Sequence, residues 1–279
     1  MQTDRTLSRD RLLIHRHGLV VRFTHWVNAA SLLVMLLSGL QILCAHPAFY
    51  WGETAQFAHP LAAIEVTTDT RGELHSALTV AGLHLDTTGF LGTYRSADGQ
   101  LQSRAFPPSL TLPAELDLGA GRRWHFFFAW LFVLNGAVYL AQGAVTGRLS
   151  RELLPTRRHL SQIGRDIVDH LRLRFARGED ARHYGVLQRL AYGLVVFGAL
   201  PLMVITGLAM SPAIDSRFHL LTTVLGGRQS ARTLHFVGVS ALALFLAVHL
   251  IMVVLAGPFN LLRSMVTGWL VIRTDEASK

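Results

Sequence analysis

Four stretches of the chain are apolar over most of their length: Phe23 to Cys44, Trp124 to Val145, Val186 to Met210, and Thr233 to Ala256. Crossing a bilayer as a helix takes roughly 20 mostly apolar residues, so the pattern predicts four membrane-spanning helices. Pro201 lies inside the third and is expected to kink it, because proline removes a backbone donor and crowds the preceding turn. Two polar segments separate the spans. Residues 45–121 are too long for a plain connector. Pro47, Pro60, Pro107, Pro108 and Pro113 punctuate them, and TYRSADGQLQSR offers a hairpin turn at Asp98-Gly99 between strand-like runs. This segment reads as a small folded cap, the alternative being a disordered insert. In residues 146–185, Leu160, Ile163, Ile167, Val168, Leu171 and Phe175 recur near helical spacing. That predicts an amphipathic helix at the membrane interface, against a solvated basic linker.

Composition agrees with a membrane class: 51% of the 279 residues are hydrophobic and 16% charged, with a mean hydropathy of +0.35. The expected fold class is therefore an all-α membrane protein, a four-helix bundle forming one integral-membrane domain over residues 1–279. A net charge of +8 raises the question of nucleic acid, but the arginines flank the spans. Arg5, Arg9, Arg11, Arg16 and Arg22 precede the first. Arg148, Arg151, Arg157, Arg158, Arg165, Arg172, Arg174, Arg177 and Arg182 follow the second. Anionic lipid headgroups account for this charge, so no nucleic-acid partner is expected. Positive charge collects on the cytoplasmic side, which predicts both termini in the cytoplasm and the 45–121 cap outside. The charged N-terminal segment runs into a span too long for a signal peptide, so the first helix is expected to remain as an anchor. A single cysteine, Cys44, excludes an intrachain disulfide and an iron–sulfur cluster held by this chain.

Histidine placement narrows the chemistry. His235 and His249 lie in the fourth span, 14 positions apart. On a helix they share one face, about 40° apart in azimuth and about 21 Å apart in height. His25 begins the first span at the inner level, and His125 begins the second at the outer level. By depth, His125 pairs with His235 and His25 with His249. An imidazole in hydrocarbon is costly unless engaged. One alone reads as an interfacial or hydrogen-bonded residue, but four at matched levels predict two bis-histidine sites for two haems b. Zinc needs ligands that converge, and ligands about 21 Å apart on one helix do not. A proton path needs acids, which the spans lack.

Haem propionates are anionic and call for nearby cations. Arg122 and Arg123 precede His125, and Arg22 precedes His25, with Arg16 and Arg189 near the same inner level. Gly39, Gly136, Gly143, Gly193, Gly198, Gly207 and Gly238 are candidate close-contact positions for helices or macrocycle.

RFTHW in the first span, GRRWHFFFAWLFVLNG in the second, and TLHF with AVHL and GPFNLLRSMVTG at the fourth resemble the membrane cytochrome b subunits of formate dehydrogenase, nickel–iron hydrogenase and thiosulfate reductase, the last branch most of all. The resemblance implies the same four haem ligands and a molybdopterin oxidoreductase as partner. It also implies an exchangeable quinone beside the inner haem, at the start of the third span. There the formate dehydrogenase subunits carry Tyr-Asn-x-x-Gln, whereas this chain has Tyr184, Gly185, Val186, Leu187 and Gln188. Tyr184 and Gln188 are the candidate quinone residues, with His17 nearby.

The expected function is a dihaem cytochrome b that anchors an extracytoplasmic oxidoreductase and carries electrons between it and the quinone pool. With both axial positions occupied, substrate chemistry falls to the partner. Two alternatives are a stand-alone quinone-linked oxidase of a small reductant such as superoxide, and a cofactor-free transporter. The latter is disfavoured by the lack of inverted repeats or broken helix pairs.

Overall fold

The computed structural model describes residues 5–8, 11–156, 161, 163–172 and 184–273. Leu160 and Phe175, with Arg9, Arg157, Arg158, Arg174, Arg177 and Arg182, lie outside the described residues. In chain order come strands β1 (Arg5–Ser8) and β2 (Arg11–His15), then helix α1 (Leu19–Leu43). Strands β3 (Ala48–Phe49), β4 (Ala62–Thr68), β5 (Leu74–Val80), β6 (Leu83–Asp86), β7 (Gly92–Arg95) and β8 (Leu101–Arg104) follow. The remaining principal elements are α2 (Leu118–Val145), α3 (Ile163–Leu171), α4 (Val186–Ala209), α5 (Arg228–Leu255), α6 (Pro258–Thr267) and β9 (Trp269–Arg273). Helices α1, α2, α4 and α5 are long and apolar enough to cross a membrane. The chain is not all-α: among the described residues three sheets accompany the helices. The strands of residues 48–104 pair with near neighbours in sequence, whereas β2 and β9 come from opposite ends of the chain and leave no local signal.

Contacts divide the chain into two compact units, Met1–Asn28, Leu134–Pro201 and Ser240–Lys279 on the one hand, and Ala29–Val133 with Leu202–Val239 on the other.

In the first unit, β2 pairs antiparallel with β1 and β9, His15 opposite Trp269 and Arg11 opposite Arg273. Alternation in RLLIH and WLVIR turns Ile14, Leu270 and Ile272 to one buried cluster, against which Leu12 and Leu261 pack. The amphipathic helix α3 leaves Ile167 and Val168 exposed. Its Asp166 meets the backbone at the start of α4. Within α4, residues Val195–Ala199 form a wider π-helical turn just ahead of Pro201, which is how this helix accommodates the donor that proline lacks. Asn135 is buried in α2 and donates to the Thr24 carbonyl at 2.9 Å and to Asn28 Oδ1 at 2.6 Å.

In the second unit, residues 48–104 form a four-stranded antiparallel sheet, β3-β4-β5-β6, and a separate hairpin, β7-β8. The hairpin turns through Ser96 to Gly99, where Gly99 adopts a φ of +82°. Ala48, Tyr50 and Ala63 form its buried apolar cluster. Gly227, at a φ of +109°, brings the segment before α5 against the Gly52 backbone, so close that a Cβ would lie 2.4 Å from the Gly52 carbonyl carbon. Only glycine permits that approach.

Candidate functional site

The four span histidines form two pairs, one in each unit. His125 on α2 faces His235 on α5 with ring centroids 6.4 Å apart, and His25 on α1 faces His249 on α5 at 6.5 Å. Two metal–imidazole bonds of about 2 Å each, together with the half-widths of the rings, put the centroids of two axial imidazoles about 6 Å apart. Both pairs match that spacing. Among the described residues there is no cluster of three or more histidine, cysteine or carboxylate side chains for a metal ion. Paired imidazoles facing each other across helices suit a macrocycle that supplies its own four equatorial nitrogens.

The surroundings of the His125–His235 pair determine which ring nitrogen is available. Nδ1 of His125 lies 3.1 Å from the Met35 carbonyl, which can only accept, so that nitrogen carries the proton. Ser38 Oγ, 3.3 Å from the same nitrogen, already lies 2.7 Å from the Val34 carbonyl as its donor. Nδ1 of His235 lies 2.9 Å from Thr206 Oγ1, whose single hydrogen goes to the Leu202 carbonyl at 2.7 Å. His235 therefore donates through Nδ1 as well. Both rings keep the Nε2 lone pair for a ligand, held in orientation by a second partner in the manner of metal-bound histidines.

Glycines open the space beside these rings. A Cβ on Gly39 would lie 3.4 Å from His125 Cε1, and one on Gly207 would lie 3.6 Å from His235 Cε1. Hydropathy marked both as small positions. Ser38 and Thr206 were missed because small hydroxyl residues inside apolar runs ordinarily bond back to their own helix, as these also do.

The His25–His249 pair is built differently. His249 stacks on Phe245 with centroids 5.9 Å apart, and Tyr192 lies edge-on at 6.3 Å. Asn135 bonds to residues on either side of His25, Thr24 and Asn28. Its polarity within LFVLNGAV was the one available signal of that role.

Among the candidate cations, Arg122 and Arg123 are exposed, with the Arg122 guanidinium 5.7 Å from the Phe126 ring centre. Arg22 donates to the Val266 carbonyl, while its Nε is buried without a partner. Arg189 is buried and donates to the carbonyls of Tyr184 and Arg151. Arg16 lies over the Tyr184 ring at 5.4 Å.

The candidate quinone residues belong to the same unit as His25 and His249. Tyr184 packs edge-on against Tyr192 at 5.3 Å, and Tyr192 in turn touches His249. Burial raises the Tyr184 hydroxyl above its ordinary pKa, against the opposing effect of Arg16. Gln188 turns its Oε1 back to the Gly185 N–H at 3.2 Å, which leaves its amide nitrogen as the donor. His17 is buried, and its Nδ1 makes no hydrogen bond. Burial first, then Arg16 and Arg148, lower its pKa to about 3. It is a neutral imidazole at pH 7.

Comparison with known proteins gives the family of the chain. Residues 16–268 match the family described as prokaryotic cytochrome b561. A relative in Azospira oryzae, named as the protein-methionine-sulfoxide reductase subunit YedZ1, is 37% identical over 148 residues, 52% of this chain and 72% of the relative. No solved structure matches. Since the family match runs through all four apolar helices, the chain belongs to the prokaryotic cytochrome b561 family and is a membrane cytochrome that binds haem b.

Proposed function

We propose that the protein is a dihaem cytochrome b that passes electrons between the quinone pool and an extracytoplasmic oxidoreductase. His125 and His235 hold the outer haem, and His25 and His249 the inner one. The observation that carries this reading is the pairing itself: two facing imidazole pairs at 6.4 and 6.5 Å, with the protons of the first pair fixed on Nδ1. A haem held by these histidines would supply reversible one-electron transfer.

The chain's own residues do the rest. Met35, Ser38 and Thr206 keep the outer imidazoles in the ligating tautomer. Asn135 ties α2 to the turns of α1 around His25. At the cytoplasmic end, Tyr184 and the Gln188 amide present donors and His17 an unprotonated nitrogen, a set suited to a quinone that exchanges both electrons and protons. The arginine pattern supports cytoplasmic termini and an inner-membrane location. It sets residues 45–121 outside, where a partner would dock. The Azospira relative's name supports a partner that reduces oxidised methionine in proteins, and the resemblance of the helices to thiosulfate reductase subunits favours a molybdopterin cofactor in it.

The test is a haem count by reduced-minus-oxidised spectrum and extraction. The wild-type protein should hold two haems b. His125→Ala or His235→Ala should each leave one, His25→Ala or His249→Ala the other, and the double variant His25→Ala with His125→Ala none. A count of two in any single variant overturns the assignment.

A further inference from the structure

Two arginines at the outer end of the second unit are placed where cations need a reason. Arg232 precedes His235 by three residues on α5, one turn away on nearly the same face. It is partly buried, donates to the carbonyls of Ala48 and His46, and lies 5.5 Å from the Phe49 ring centre. Arg104, at the end of β8, is 8% exposed. It donates to the Ala114 carbonyl at 2.6 Å, to Gln41 Oε1 at 2.9 Å and to Thr111 Oγ1 at 2.6 Å, but its Nε has no partner.

Gln41 connects Arg104 to the histidine on the other helix. Its Cγ lies 2.8 Å from where a Cβ on Gly121 would be, and Gly121 precedes His125 by one helical turn. Arg232 thus lies one turn before His235 on the same helix, and Arg104 bonds the Gln41 side chain that packs one turn before His125.

Among the described residues neither arginine makes an ion pair. A buried cation surrounded only by neutral oxygens costs several kcal/mol unless an anion joins it. His46, whose carbonyl Arg232 holds, also has a buried Nε2 without a partner. Arg104 Nε and His46 Nε2 are thus buried polar atoms that an acidic group could engage.

We propose that Arg232 and Arg104 bind the carboxylates of the group held by His125 and His235, the propionates of the outer haem. This rests on the ligand assignment above. It displaces the role from Arg122 and Arg123, whose exposed guanidiniums carry no such cost.

The experiment is a spectroelectrochemical titration of the purified holoprotein, in which the two haems are resolved as two one-electron components. A lost cation makes the reduced, more negative state less favourable. Arg232→Gln and Arg104→Gln should each keep two haems and lower the reduction equilibrium of one component about tenfold, a fall of about 59 mV. Arg232→Lys should recover most of it. If either glutamine variant sheds one haem and keeps the other, the protein is folded, and recovery of that haem in the lysine variant supports the proposal while failure to recover overturns it. Unchanged potentials in both glutamine variants, or a shift in Arg122→Gln in their place, also overturn it. His125→Ala separates the two levels. If it still holds two haems, the ligand assignment has failed. If it holds one and the arginine variants are unmoved, only the present inference has.

Discussion

Asp166 Oδ2 accepts a hydrogen bond from the Leu187 backbone N–H at 2.8 Å, so that the amphipathic helix α3 caps the start of α4. Gly185 makes room for it: a Cβ there would come within 3.4 Å of the same oxygen. The glycine that stands where formate dehydrogenase subunits have asparagine is thereby explained by packing. The carboxylate occupies the approach that a larger side chain would take, and it favours the positive end of the helix. Asp166→Ala should cost about 1 kcal/mol, the usual loss of a helix cap. Faster amide exchange at Leu187 and a lower melting temperature, with haem content unchanged, are the expected readouts.

His17 gives the protein a pH dependence of definite sign. Its pKa falls from 6.5 to about 3 on folding, so below 6.5 the unfolded chain takes up a proton that the folded one refuses. Stability from this group is complete above pH 6.5 and is lost as pH falls towards 3, at up to about 1.4 kcal/mol per unit. Melting followed between pH 7.5 and 5 should show the decline, and His17→Gln should flatten it.

Thr206→Val should retain both haems while moving one of them. The valine removes the hydroxyl acceptor of His235 and leaves the ring the Met203 carbonyl, a loss of about 0.5–1.5 kcal/mol for one hydrogen bond. The ring becomes a poorer electron donor, so the reduction potential of the outer haem should rise, by less than the about 59 mV of a tenfold change. A redox titration in which the other component moves would count against the pairing of Thr206 with the outer site.

Gly207→Leu should remove the haem of the His125–His235 pair and spare the other. A Cβ is tolerated at 3.6 Å from His235 Cε1, but the branched carbons beyond it would displace the imidazole. A haem count of one, with the remaining spectrum matching that of His235→Ala, is the expected result.

The spans and their histidines were legible because length and hydropathy are local properties, and because 3.6 residues per turn converts spacing into height. The terminal sheet was not. RLLIH and WLVIR are five residues each, they border apolar spans, and they bond to one another from opposite ends of the chain. Nor did the sequence distinguish among its arginines. Arg122 and Arg123 stand three and two residues before His125 and were candidates for that reason, whereas the burial of Arg104 depends on the fold of the intervening strands. Gln188 looked like a quinone ligand by pattern, and the structure shows half of its amide committed to the Gly185 N–H. A helix start and a ligand pocket use the same residue types, and spacing alone does not separate them.

The pairing of β2 with β9 also bears on how the protein is made. The Arg22 guanidinium reaches a carbonyl 244 positions later, and β2 has no strand on its β9 side until Trp269–Arg273 has left the ribosome. The first helix is therefore made long before the strand that leads into it can meet this partner. Throughout synthesis of the intervening chain the segment leading to His25 therefore lacks its later strand partner.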